Sequence, residues 1–182
     1  QVQGEASLRF VLMVPDGPVP PGGFPVALSA HGTYGDAFSF VHDGSGAALC
    51  DVGLAALSFD QPFAGERAIG DGQLEGLHFF NFLNPVALRR NVQAAALDLQ
   101  SLARLVPGLV VPASLDPAQR TVELDPGRLV ALTHSQGSIG ASLWLAASPA
   151  PRAAVLSGAP ATPLPILTQD VPDFDGRALL AD

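Results

Sequence analysis

The chain has 182 residues, 48% of them hydrophobic, which is long enough to bury a core and too apolar for a disordered segment. The formal net charge is -8 and all nine basic residues are arginines, scattered along the chain. That excludes a nucleic-acid surface built on phosphate neutralisation, and the single cysteine, Cys50, excludes an internal disulfide.

No apolar run is long enough to cross a bilayer, and no signal peptide is recognisable after Gln1. Residues Ala6 to Val14 read as a first strand, closed by Pro15-Asp16-Gly17. Pro18 to Gly23 is a turn, and Phe24 to Ala30 is a nearly continuous apolar strand suited to burial on both faces. The strand runs into His31-Gly32-Thr33-Tyr34-Gly35-Asp36. A glycine-bearing loop there can aim backbone N–H groups at a pocket, with Thr33 or Tyr34 as donor, or can be an ordinary strand-to-helix turn. It lacks the glycine spacing of a dinucleotide loop.

Ala37 to Val41 reads as a helical turn, and Gly44 to Asp51 as a second helical piece packing Ala47, Ala48 and Leu49. Cys50, in that apolar setting, reads as a buried structural thiol. His42, beside Asp43, reads as a solvated turn histidine or, less plainly, as a catalytic base. Gly53 to Phe59 is the next buried strand, and Asp60 after it is expected to accept backbone N–H bonds in its loop. Leu74 to Leu83 is the densest aromatic stretch. Its phenylalanines either line an apolar pocket or cover the core, and His78 reads as structural.

Asn84-Pro85 is a helix start, with Asn84 as cap. Val92, Ala95, Leu99, Leu102 and Val106 recur at helical spacing until Pro107-Gly108. Pro112 to Gly127 reads as an irregular connection ending in an Asp125-Pro126-Gly127 turn. Ser138 to Ala147 is a helix rich in small residues, Ala153 to Gly158 reads as another short buried strand, and Pro160 to Asp182 as a proline-rich stretch.

Between the connection and that helix lies Leu129-Val-Ala-Leu-Thr133-His134-Ser135-Gln136-Gly137. An apolar strand climbs to a serine and turns at once into a helix. This is the reading of a nucleophile elbow, which bares Ser135 Oγ and brings the Gln136 N–H to where an oxyanion would form. The usual Gly-x-Ser-x-Gly pattern is broken at Thr133, so a serine merely placed at a strand-to-helix turn is the alternative.

Taken together, the His31-Gly32 loop, the Asp60-Gln61-Pro62 loop, the Asn84-Pro85 helix and Thr133-His-Ser-Gln-Gly137 resemble the α/β-hydrolase superfamily over Phe24 to Gly158. Phe80-Asn-Phe-Leu-Asn-Pro85 and the helix after it are similar to bacterial secreted lipases and esterases of the virulence-factor lipase group. The resemblance implies an α/β fold, a mostly parallel sheet with helices on both faces. It implies Ser135 as nucleophile, the Gln136 and Thr33 N–H groups as oxyanion hole, and His31, Gly32, His134 and Gly137 as supports, neither histidine being the base. Tyr34, Phe63, Phe79, Phe80 and Phe82 would offer a pocket for an acyl or aromatic ester. The expected partner is a small-molecule or lipid ester, with no metal, no organic cofactor and no nucleic acid, and with contact to a lipid surface an open option. A secreted or cell-envelope location is likewise implied.

In that family the acid and the base follow the serine, yet no histidine follows Ser135 here, and Asp170, Asp173 and Asp175 have no base to orient. Residues 1–182 are therefore expected to be one domain, the front part of a hydrolase whose last strands, acid and base are missing. A non-catalytic binding or scaffold relative is the alternative. A third option recruits His31 or His42 as the base.

Overall fold

Two apolar runs, each interrupted by a single serine, Ser29 and Ser58, make the centre of the sheet. Phe24–Ala30 forms β2 and Ala55–Phe59 forms β3, and the two pair in parallel from Val26↔Ala55 to Ser29↔Ser58. Each is buried on both faces, as their composition requires. The computed structural model describes residues 7–70 and 75–159, so Ala6, Leu74 and the proline-rich stretch from Pro160 lie outside the described residues.

The other strands flank this pair. Phe10–Met13 is β1, antiparallel to β3. Val122–His134 is β5, parallel to β2, and Ala153–Ser157 is β6, parallel to β5. The expected burial of Ala153 to Gly158 is corrected here: every β6 residue is exposed among the described residues, because its composition fixes a strand but not what covers it. Val110–Val111 is a two-residue β4 paired with the start of β5. The main order is thus β1-β3-β2-β5-β6. The β2-to-β3 crossover runs one way across the sheet, and those from β3 to β5 and from β5 to β6 run the other. Right-handed crossovers therefore put the helices of the first connection on one face and those of the other two on the opposite face.

The first connection holds α1, Ser39–His42, and α2, Ser45–Asp51. The expected packing of Ala47 and Ala48 is corrected here: both are exposed and Leu49 is half-buried. The contact is made by Gly46, where a Cβ would lie 2.6 Å from the Phe40 ring and 2.7 Å from Met13 Sδ. With one seven-residue helix, tertiary contact and not composition decides which side faces inward. Cys50 is free and half-buried, and burial pushes its thiol pKa up.

On the other face, α3 is Glu75–Phe80 and α4 is Pro85–Leu105. Asn84 Oδ1 accepts the Ala87 N–H at 3.1 Å, the cap that the sequence announced. Ala95, Leu99 and Leu102 bury as the periodicity demanded, with Val106 in the turn that follows. Helix α5, Gln136–Ala147, packs beside α4, and a Cβ on Gly140 would come within 2.8 Å of that of Ala95. Trp144 is buried between them and its indole N–H donates to Gln100 Oε1 at 3.0 Å.

The irregular connection from Pro112 to Gly127 is also corrected. Val122 and Leu124 are already strand residues in the core. Pairing with β2 jumps from Pro25↔Asp125 to Val26↔Leu129, so Pro126, Gly127 and Arg128 are extra residues in one strand. The turn chemistry itself is real: Asp125 Oδ1 accepts the Gly127 N–H at 2.8 Å. It makes a bulge because β2 pairs with the strand on both sides. Upstream, Arg120 holds the Asp116 carboxyl down to a pKa of about 2 and donates to the carbonyls of Pro15 and Gly17.

Asp60, just past β3, ties three segments together. It has no exposed surface and accepts from Arg9 Nε at 3.0 Å, the Ala37 N–H at 2.8 Å and the Glu66 N–H at 3.1 Å. Burial alone would raise its pKa, but Arg9 and the two N–H groups outweigh that and lower it. Asp60→Ala is expected to lower the unfolding free energy by about 2–4 kcal/mol, since the buried Ala37 N–H, the part-buried Glu66 N–H and Arg9 lose their acceptor. Urea unfolding at neutral pH measures this. The depressed pKa makes the Asp60 contribution full above the unfolded value of 3.8, with loss as pH falls through the folded value. The wild-type stability should therefore fall more steeply than that of Asp60→Asn below about pH 4.

Candidate active site

Strand β5 delivers Ser135 to the carboxyl edge of the sheet, and α5 starts at the next residue. Between a strand and a helix with no spacer, the junction residue must absorb the whole change of direction. Ser135 does so with φ 48° and ψ -116°, a conformation that L residues rarely adopt and that costs about 1–3 kcal/mol. Three contacts hold it there. The Ser135 N–H donates to the Ser157 carbonyl at 2.8 Å, extending the β5–β6 ladder. Its own carbonyl accepts the Ser138 N–H at 2.9 Å, the first turn of α5. The Gly137 N–H donates to the His31 carbonyl at 3.1 Å, fastening the helix to the end of β2. The Ser135 hydroxyl makes no cap bond to the helix it precedes.

The loop after β2 presses on this corner. A Cβ on Gly32 would lie 2.9 Å from His134 Cδ2 and 3.3 Å from Ser135 Cβ, so the backbone passes directly over the serine. A Cβ on Gly137 would lie 2.5 Å from the Ala30 carbonyl oxygen, so nothing larger fits. The loop turns through a Gly35 N–H to Gly32 carbonyl bond of 3.1 Å, with Tyr34 at φ 63°. Within the described residues the Thr33 N–H has no hydrogen-bond partner. Gln136, the first residue of α5, is fully buried.

His31 is bound at both ring nitrogens. Nε2 accepts the Gln61 N–H at 3.3 Å, which leaves the proton on Nδ1 to be donated to the Gly32 carbonyl at 2.7 Å. Its own carbonyl accepts Gln61 Nε2 at 2.5 Å as well as the Gly137 N–H. Burial lowers the His31 pKa, overriding the Gly32 carbonyl and the charges of Asp60 and Asp36, which would raise it. His31 is thus a neutral strut with no nitrogen to spare for base chemistry. His134 is exposed, and its Nδ1 lies 3.3 Å from Ser157 Oγ. His42 is exposed at the end of α1, 6.4 Å ring to ring from Phe38. His78 faces Phe63, with ring centroids 5.9 Å apart.

Thr133 fills the place where the usual pattern has glycine. It is buried and its Oγ1 lies 2.9 Å from Ser138 Oγ, which in turn donates to the Ser157 carbonyl at 3.0 Å. The first turn of α5 therefore meets the extra side chain with a small hydroxyl partner. A cleft of about 430 Å³ opens beside the corner, lined by Gly32, Thr33, Tyr34, His134 and Ser157 among others. Of the aromatic pocket candidates only Tyr34 lines it, 63% exposed. Phe79 has no exposed surface and Phe80 has 7%, so both belong to a small second core with Ala95. Phe63 and Phe82 are half-buried against that core, Phe82 stacked on Phe80 at 5.4 Å. The aromatic stretch is corrected accordingly: its periodicity cannot tell a pocket wall from a core wall, and here the core takes it.

Gln61, part of the Asp60-Gln61-Pro62 loop, is a functional support that the sequence does not single out: it is buried and holds His31, a residue 30 positions away, with no local signal for that contact.

Gly137→Ala should destabilise the fold by about 1–3 kcal/mol, because its Cβ would meet backbone and not a movable side chain. Thermal unfolding beside Gly127→Ala, an exposed control, measures it. For His31 the folded pKa is depressed, so the unfolded chain takes up the proton first. Stability should fall as pH drops below the ordinary value of 6.5, and this component should vanish in His31→Gln.

No protein-family model matches the chain, and no characterised protein matches it in sequence. Solved structures do. A puromycin-hydrolysing peptidase of Mycobacterium tuberculosis matches with a TM-score of 0.64 and 16% identity, over 95% of this chain and 24% of its own. An acetyl xylan esterase from Paenibacillus sp. R4 matches with a TM-score of 0.54 and 19% identity, over 81% and 43% respectively. A cold-adapted esterase from an Arctic intertidal metagenomic library matches with a TM-score of 0.51 and 15% identity, over 82% and 59%. The chain therefore spans less than two thirds of each of these neighbours. The likeness lies in the path of the backbone: the chain has the α/β-hydrolase fold.

Proposed function

We propose that the chain is the nucleophile-bearing part of a serine hydrolase that cleaves carboxylic esters. The observation that carries the reading is the backbone of Ser135, φ 48° and ψ -116°, at a strand-to-helix corner overrun by a glycine loop. Strain of this kind needs a reason, and a hydroxyl held clear of its own helix is one. The esterase neighbours support the class of reaction.

In this reading Ser135 Oγ adds to the ester carbonyl while a base takes its proton. The Thr33 and Gln136 N–H groups hold the oxyanion that forms. The intermediate collapses to an acyl-serine, the base hands its proton to the departing alkoxide, and water then repeats the sequence to release the acid. With His31 saturated at both nitrogens, the base is assigned to residues beyond Asp182, where the acid also belongs. The substrate is a small-molecule ester. Its acyl or aromatic preference follows from the resemblance, and of the aromatic candidates Tyr34 alone lines the cleft, since Phe79 and Phe80 are core and Phe63 and Phe82 pack against it. A secreted or cell-envelope setting, the lipase subgroup and contact with a lipid surface remain parts of this proposal that follow from the resemblance alone.

A fluorophosphonate probe should modify the full-length protein at Ser135, located by peptide mass spectrometry, and Ser135→Ala should abolish the adduct. p-Nitrophenyl acetate hydrolysis should fall by about 10⁴-fold or more in the same variant. Residues 1–182 alone should give negligible turnover. Labelling elsewhere, or none, would favour a binding or scaffold role. Serine-dependent turnover by the 182 residues alone would place the base within them.

A further inference from the structure

Residues of α4 and of the C-terminal half of α5 line a groove of about 690 Å³, a volume usual for a small-ligand site. Its floor and walls include Trp144, Leu143, Ala147 and Leu97. Leu97 is 66% exposed and Leu143 is 41% exposed, although each heads a helix face that could have carried a polar residue at no cost. On α4 the groove follows Gln93, Leu97, Gln100 and Arg104, one stripe at helical spacing about 16 Å long.

At one end of this stripe Gln100 and Arg104 offer donors. Indole N–H can only donate, so the bond from Trp144 fixes the Gln100 amide with its oxygen inward and its NH2 turned away. Arg104 lies one turn further, on the same side. Among the described residues Arg104 makes no ion pair, whereas Arg9, Arg67, Arg120 and Arg128 each do. Among the described residues no aspartate or glutamate lines the groove, in a chain whose net charge is -8. An apolar trough that ends in an amide NH2 and a guanidinium with no ion pair among the described residues complements an apolar chain with a single anionic head.

We propose that this groove binds a medium-chain aliphatic carboxylate, its tail along Leu97, Leu143 and Trp144 and its head on Gln100 and Arg104. The proposal does not depend on the chemistry assigned to Ser135, and Ser135→Ala should bind the same ligand.

Trp144 is the only tryptophan of the chain and reports on the groove directly. Titrating the 182-residue chain with sodium decanoate, below the concentration at which it forms micelles, should give a saturable change in tryptophan emission. Arg104→Gln, an exposed and fold-neutral change, should weaken binding about five- to tenfold, and decanol should bind the wild-type chain more weakly by a similar factor. Leu97→Asp should weaken decanoate further by crowding the tail with a like charge. An unsaturable response, equal affinity for decanol, or an unchanged Arg104→Gln would each overturn the proposal. The decanol comparison uses the unmutated chain and stands whatever the variants do.

Discussion

The working end of this molecule depends on one close approach, that of Gly137 to the backbone of Ala30 and His31. Because no side chain intervenes, the Gly137 N–H reaches the His31 carbonyl, and α5 is fastened to β2 as well as to its own strand. Much else follows from that contact. Gly140 is needed so that α5, drawn this close to the sheet, does not collide with Ala95 on α4. Ser138 is needed because Thr133 rises into the same first turn and requires a small partner for its hydroxyl. His31 must stay neutral, since a proton on Nε2 would oppose the Gln61 N–H and loosen the residue whose carbonyl anchors the helix.

The contact also explains how Ser135 tolerates a backbone conformation that costs about 1–3 kcal/mol. The residue is fixed from three directions, by the β6 ladder through Ser157, by the first turn of α5 and by the β2 end through its neighbour. Two of those fixtures rest on elements with their own buried surface, β2 and α5, so much of the cost is met away from the corner itself. Asp60 does for the loops what Gly137 does for the helix. Its two carboxylate oxygens gather N–H groups from the loops after β2 and after β3, and Arg9 neutralises the charge that would otherwise make such burial unfavourable.

The parts of this arrangement that were legible in the sequence are those written locally. β2 and β3 announce themselves because a nearly continuous apolar run of strand length has few other uses, and α4 because its cap, period and stop agree. The serine corner is legible because strand, serine and small-residue helix follow without a spacer. What was illegible depends on partners distant in the chain. Gln61 acts on a residue 30 positions away and Arg9 on one 51 positions away, and no local period encodes either. The Asp125 turn was read correctly as chemistry and wrongly as topology, since only the pairing of β2 on both sides makes it a bulge. Phe79 and Phe80 were ambiguous for the same reason: the residues that cover them, Ala95 and its neighbours, belong to the next helix.

Helix α5 joins the two regions of chemical interest, with Ser135 at its head and Trp144 in its third turn. A shared helix does not by itself couple them. Coupling would require two arrangements of α5 that differ in their fit to a ligand in the groove. The structure offers the helix little room for a second arrangement: Gly137 locks its first turn to backbone, Gly140 meets Ala95 at contact distance, and Trp144 is buried and bonded to Gln100. A rod pinned at three successive turns can carry two sites without passing free energy between them. Occupancy of the groove would then add stability to the α4–α5 pair by mass action while leaving the geometry at Ser135 as it is.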